Sequence, residues 1–96
     1  MSARTYDVII IGGGAAGFFA AINLAEARPE LRIAILERGK ETLQKVKISG
    51  GGRCNVTNAE TSIKLLAEAY PRGGKKLKSA FTVFSTQDCQ KWFTDR

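Results

Sequence analysis

The 96-residue sequence contains no histidine, two cysteines, two prolines, one methionine and one tryptophan. With no histidine and no C-x-x-C pair, no residue spacing suits a metal ion. Cys54 and Cys89 stand far apart, which reads as a reducing compartment and not as a disulfide scaffold. There is no fixed-period repeat and no low-complexity stretch. A hydrophobic share of 44% excludes a disordered segment. The length suits one globular domain, with a core that is possible but thin.

Charge is missing from Val8 to Ala25, a run of eighteen residues. A run of that length suggests a membrane span or a signal peptide. Its glycines, however, cluster at one point as Gly12, Gly13, Gly14 and Gly17, and Asp7 sits at its mouth. The run is therefore read as a buried strand followed by a buried helix, in a cytoplasmic protein with no membrane partner.

Positive charge is in excess, with 15 Lys and Arg against 9 Asp and Glu, a net of +6. The surplus begins at Arg38 and continues through Lys40, Lys45, Lys47, Arg53, Arg72, Lys75, Lys76 and Lys78. Such a balance favours anionic partners. The group at 72–78 reads either as a solvated face or as part of a basic anion-binding module. Its aromatics do not interleave with the basic residues in an RNA-binding pattern, so no nucleic-acid partner is expected. Gly73-Gly74-Lys75 is not a phosphate-binding P-loop, because Ala69 replaces the first required glycine and Lys76 the required Ser or Thr.

Tyr6 to Ile11 is a β-branched run without alternation, the pattern of a strand buried on both faces. Ala15 to Arg28 has helical spacing, with Phe18, Ala21, Ile22 and Ala25 on one face, and Pro29 stops it. Arg32 to Leu36 is a second strand. The three make a βαβ unit. Beyond Gly39, residues 41–47 read as a short helix or loop and 48–58 as an irregular Gly-rich stretch. Residues 62–70 read as a helix ended by Pro71, and Leu77, Ala80, Phe81 and Phe84 mark another. Ser85-Thr86-Gln87-Asp88 resembles a capping box, opening a last helix with Cys89, Trp92 and Phe93 on its buried side. The fold class is therefore α/β, a Rossmann-like βαβ followed by helices, with an incomplete sheet. Because two strands do not close a core and no domain-ending signal precedes Arg96, a piece of a longer protein is expected.

Gly12-x-Gly14-x-x-Gly17 follows a strand and opens a helix, the context that gives this pattern meaning. Gly12 makes the turn, Gly14 lets backbone approach a pyrophosphate, and Gly17 allows close helix–strand packing. Ala15 and Ala16 keep the approach clear to the positive end of the helix. Glu37 ends the second strand, twenty residues past Gly17, where an acidic ribose binder is expected. It also disfavours a ribose phosphate, and so NADP. Arg38 can flank the adenine.

A second Gly-rich segment, Ile48-Ser49-Gly50-Gly51-Gly52-Arg53-Cys54-Asn55-Val56-Thr57-Asn58, reads as another anion-binding loop. Three successive glycines suggest that its backbone passes close to something. A plain NAD dehydrogenase has no need of this loop, whereas the longer FAD does. The segment resembles the signature of FAD-binding flavoproteins grouped with aminoacetone oxidase and the BaiN-type bile-acid reductases. Tyr70-Pro71-Arg72 and the spacing of Phe81, Phe84, Ser85, Asp88, Trp92 and Phe93 resemble the same family.

The resemblance covers nearly the whole chain. It implies that residues 1–96 are the N-terminal part of a single glutathione-reductase-type FAD-binding domain within a two-domain flavoprotein. It implies that Gly12, Gly14, Ala15, Ala16 and Gly17 face the pyrophosphate and that Glu37 and Arg38 hold the adenosine. Gly50, Gly51, Gly52, Arg53, Cys54 and Asn55 would line the stretch toward the flavin, with Arg53 as a clamp and Cys54 as a small packed residue. The expected function is an FAD-dependent oxidoreductase, with NAD(P)H a possible electron donor in the parent protein and the 96 residues alone inactive. No catalytic acid or base is identifiable. The alternatives are a piece of an NAD-binding Rossmann dehydrogenase and a non-catalytic basic anion-binding module.

Overall fold

The computed structural model describes residues 4–96. The chain divides into two compact units, one ending at Cys54 and the other spanning Asn55–Arg96.

The first unit contains β1 (Val8–Ile11), α1 (Ala15–Ala27), β2 (Ile33–Leu36) and α2 (Gln44–Ile48), then a 3-10 segment, Ser49–Gly52. β1 and β2 pair in parallel, from Val8 opposite Ile33 to Ile11 opposite Leu36. The pairing is closed at both ends. At the start, the Asp7 carboxylate accepts the Arg32 N–H at 2.8 Å, and the Asp7 N–H donates to the Arg32 carbonyl at 2.9 Å. At the other end, the Gly12 N–H donates to the Leu36 carbonyl at 2.7 Å. This is the βαβ start of a Rossmann-type domain, with the open two-stranded sheet read from the sequence.

The expected burial of β1 on both faces is not met. Val8 and Ile10 are half-buried, but Ile9 and Ile11 are 53% and 79% exposed. α1 explains the covered side, since the Ile10 Cγ2 methyl lies 3.5 Å from where a Cβ on Gly17 would stand. The alternate side chains point to the opposite face of the sheet. The expected stripe on α1 is also shifted. Gly17, Phe18, Ala21 and Leu24 are its half-buried residues on this side, while Ile22 is 39% exposed. The contact at Gly17 sets the rotation of the helix, and apolar spacing alone does not register it.

The second unit contains α3 (Ile63–Glu68), α4 (Gly74–Val83) and α5 (Thr86–Thr94). The Ser62 hydroxyl caps α3 by accepting the Leu65 N–H. α3 and α4 then pack at close range, because a Cβ on Gly74 would stand 2.5 Å from the Ala67 carbonyl oxygen. Leu66 and Ala67 are the buried apolar residues here. Thr86 is buried too, its hydroxyl donating to the Glu60 carbonyl at 2.7 Å. The capping box read from Ser85 and Asp88 is present, with each side chain accepting the other residue's backbone N–H. The buried stripes are narrower than expected. Cys89 and Trp92 are half-buried, while Phe93 is 52% exposed and lies edge-on to Trp92. On α4, Leu77 and Phe81 are half-buried, but Ala80 and Phe84 are exposed. Among the described residues, no helix is long and apolar enough to cross a membrane.

Candidate functional site: the turn between β1 and α1

Gly12 leaves β1 at φ +104°, a backbone conformation that favours glycine. Gly14 precedes α1 in extended conformation and provides no side-chain cap. The helical ladder begins where the Phe18 N–H donates to the Gly14 carbonyl at 3.1 Å. The N–H groups of Ala15, Ala16 and Gly17 precede that bond and have no intrahelical acceptor. No acidic side chain stands in this first turn, and Ala15 and Ala16 are exposed. The result is the exposed positive end of a thirteen-residue helix.

The glycines separate into packed and open positions. A Cβ on Gly17 would stand 2.1 Å from the Gly12 carbonyl oxygen, so this glycine keeps the helix against the turn. A Cβ on Gly14 would meet nothing within 4 Å.

Gly13 was no candidate in the sequence, yet the site is built around it. It is buried, and a Cβ on it would stand 3.1 Å from the Thr42 methyl and 3.2 Å from Glu37 Cβ. Its N–H donates to Glu37 Oε1 at 2.9 Å, and its carbonyl accepts the Leu43 N–H at 2.7 Å. Leu43 adopts the left-handed conformation at φ +55°, a conformation costly for a non-glycine residue. A local glycine pattern cannot reveal Thr42 and Leu43. The one sequence signal that could have found them is their place just after the acidic residue that ends β2.

Glu37 Oε2 accepts the Gly39 N–H at 2.5 Å. The N–H groups of Gly39 and then Gly13, with the Arg38 charge, hold the Glu37 carboxyl below its ordinary pKa. Each oxygen therefore carries one protein hydrogen bond and keeps room for another. Arg38 is exposed beside it.

In the Gly50–Asn55 loop the glycines answer to backbone conformation. Gly50, Gly51 and Gly52 all have positive φ, at +58°, +62° and +92°. A Cβ on Gly51 or Gly52 would meet nothing within 4 Å, so conformation and not close internal packing demands glycine there. Arg53, Cys54 and Asn55 are exposed. Cys54 is thus not packed within the chain, and Cys54 and Cys89 are both free thiols. The turn and Glu37 are brought together. Among the described residues, no hydrogen bond joins residues 50–54 to the turn.

A parallel βαβ, an uncapped helix start over a glycine turn and a carboxylate at the end of β2 define a dinucleotide-binding Rossmann domain. More narrowly, residues 6–96 match the model of the HI0933-like protein Rossmann domain, and the chain belongs to that family. It is 45% identical over 83 residues to the ribosomal RNA dihydrouridine synthase of Escherichia coli strain K12, covering 86% of this chain and 20% of the relative. It is 45% identical over 49 residues to the 3-dehydro-bile acid delta(4,6)-reductase of Clostridium scindens, covering 51% and 12%. The fumarate reductase flavoprotein subunit of Proteus vulgaris is 41% identical over 56 residues, covering 58% and 9%. The chain thus spans a fifth or less of the length of these relatives.

Two outcomes follow for the turn. Gly17→Ala lowers unfolding free energy by about 1–3 kcal/mol, because backbone must give way. Gly14→Ala changes it by no more than about 0.5 kcal/mol. Equal losses in denaturant unfolding would contradict the packed and open assignments. Glu37 contributes through its lowered pKa, so its contribution is present above the ordinary carboxylate range and is lost as pH falls through the folded-state value. The stability gap between wild type and Glu37→Gln therefore narrows as pH falls from neutral through and below the ordinary carboxylate range. A gap independent of pH would show that the carboxylate charge does not hold the turn.

Proposed function

We propose that this chain forms the part of an FAD-dependent oxidoreductase that grips the ADP half of FAD, and that both units belong to one FAD-binding domain. The observation that carries this reading is the open Gly14 turn at the start of α1, with the Glu37 carboxylate bonded to the Gly13 N–H beside it. The first N–H groups of α1 are suited to the pyrophosphate, with Gly12, Gly14, Ala15, Ala16 and Gly17 offering no side-chain obstacle. The free lone pairs of Glu37 suit ribose hydroxyls, and Arg38 suits the adenine edge. The positive-φ loop from Gly50 to Asn55 reaches toward the flavin end, with Arg53 supplying positive charge. When bound, FAD supplies hydride and electron transfer at its flavin ring. This chain's residues bind and orient it, and NAD(P)H is the proposed electron donor of the whole protein. The free thiols fit a cytoplasmic protein.

The glycine turn alone would serve NAD equally well. The family and a flavoprotein relative favour FAD. Gly14→Val in the whole protein gives a colourless preparation lacking flavin absorption, while Glu37→Ala weakens FAD retention and also lowers stability. A yellow Gly14→Val protein would place the pyrophosphate elsewhere.

For the substrate, we propose RNA, in place of the expectation from the sequence that no nucleic acid is a partner. A relative that matches 86% of this chain is named for ribosomal RNA. The second unit holds a basic cleft that also contains an exposed tyrosine. Deletion of the gene then removes dihydrouridine from ribosomal RNA, read by nucleoside mass spectrometry. Unchanged dihydrouridine would set this reading aside and leave the FAD reading intact.

A further inference from the structure

We propose that the cleft between α3 and α4 is a docking site for single-stranded RNA, taking phosphates on its lysines and one base on Tyr70. The inference rests on the RNA reading of the substrate. It concerns the second unit, and the dinucleotide turn takes no part in it.

The cleft has a volume of about 690 Å³, and its lining includes Lys64, Glu68, Tyr70, Lys75, Lys76 and Lys78. Four cations thus face one carboxylate. All four lysines are exposed, and among the described residues none of them forms an ion pair. Cations crowded without partners repel one another, and a polyanion relieves that repulsion. α4 opens at this cleft behind Gly73 and Gly74, with no side-chain cap and no acid in its first turn. Backbone N–H groups there add to the same field.

Tyr70 turns a plain anion site into a nucleic-acid one. Tyr70 is 45% exposed, and its ring lies 6.0 Å from the Phe81 ring at 45°. Pro71 follows it and stiffens the chain. A braced, exposed aromatic among cations is the arrangement that stacks a base while neighbouring charges track the backbone. Along the sequence Tyr70 precedes the lysine cluster and does not interleave with it. The packing of α4 on α3 at Gly74 and Ala67 places Lys64 and Lys75 in the same cleft as the ring.

The test is fluorescence anisotropy of a labelled ten-nucleotide uridine RNA, titrated with the full chain across a salt series. Binding weakens as salt rises, with a log–log slope of about −2 to −3 for three or four phosphate contacts. Lys75→Gln with Lys76→Gln cuts the slope by about 1.4 and the affinity roughly tenfold. Tyr70→Ala costs roughly tenfold while Tyr70→Phe binds as wild type. Circular dichroism melts confirm that each variant is folded, and Tyr70→Phe keeps the stacking test valid if Tyr70→Ala unfolds. RNA binding that survives the lysine variants would overturn the cleft assignment and leave RNA as a ligand. Equal affinity for polyglutamate of matched charge would overturn the base-stacking role. No binding by the wild-type chain would overturn the site altogether, whatever the dihydrouridine assay shows.

Discussion

The backbone of Gly13 is the node on which the first unit depends. Its N–H is held by the carboxylate that ends β2, and its carbonyl by the backbone N–H just ahead of α2. One buried glycine thus ties the turn after β1 to two later stretches of chain. The strand register places Glu37 for this purpose. Ile11 lies opposite Leu36, and the Gly12 N–H bonds to the Leu36 carbonyl, so the next side chain is brought level with Gly13. A shift of one residue would turn that carboxylate to the other face of the sheet. The residue proposed to hold a ribose therefore also shapes the turn proposed to hold the phosphates. With both oxygens bonded to backbone N–H groups, the carboxylate is already fixed in position, and that order need not be gained when a ligand binds.

Much of this was legible in the sequence because it is local. The β-branched run, the glycine turn, the helix stopped before Pro29 and the Ser85–Asp88 box each depend on residues within a few positions of one another. Gly12, Gly14 and Gly17 were assigned separate tasks, and Gly17 does stand against the turn. What escaped is what depends on long-range geometry. Gly13 is not a motif position, and its partners lie 24 and 30 residues away. The burial of β1 was overread because an apolar run reports what a strand tolerates on each face. It does not report which neighbours arrive, and α1 covers only one side. Gly50 to Gly52 were read as a close approach, but a run of glycines is equally what three positive φ values demand.

The two anion-binding features proposed for the chain rest on different physics. At the turn, the donors are backbone N–H groups fixed by a helix and by Gly13, and no lysine or arginine lies between Asp7 and Arg28. A site of that kind is preorganised and geometrically selective, suited to one pyrophosphate held in one pose. At the α3–α4 cleft the charge sits on long, mobile lysine stems that lose rotamer freedom when they grip anything. Such a surface adapts to a chain of phosphates whose spacing varies, with an affinity governed by released counterions and hence by salt. A tightly held cofactor and a transient polymeric substrate call for these two kinds of site. The positive surplus that begins at Arg38 therefore lies outside the glycine turn, which has no lysine or arginine of its own.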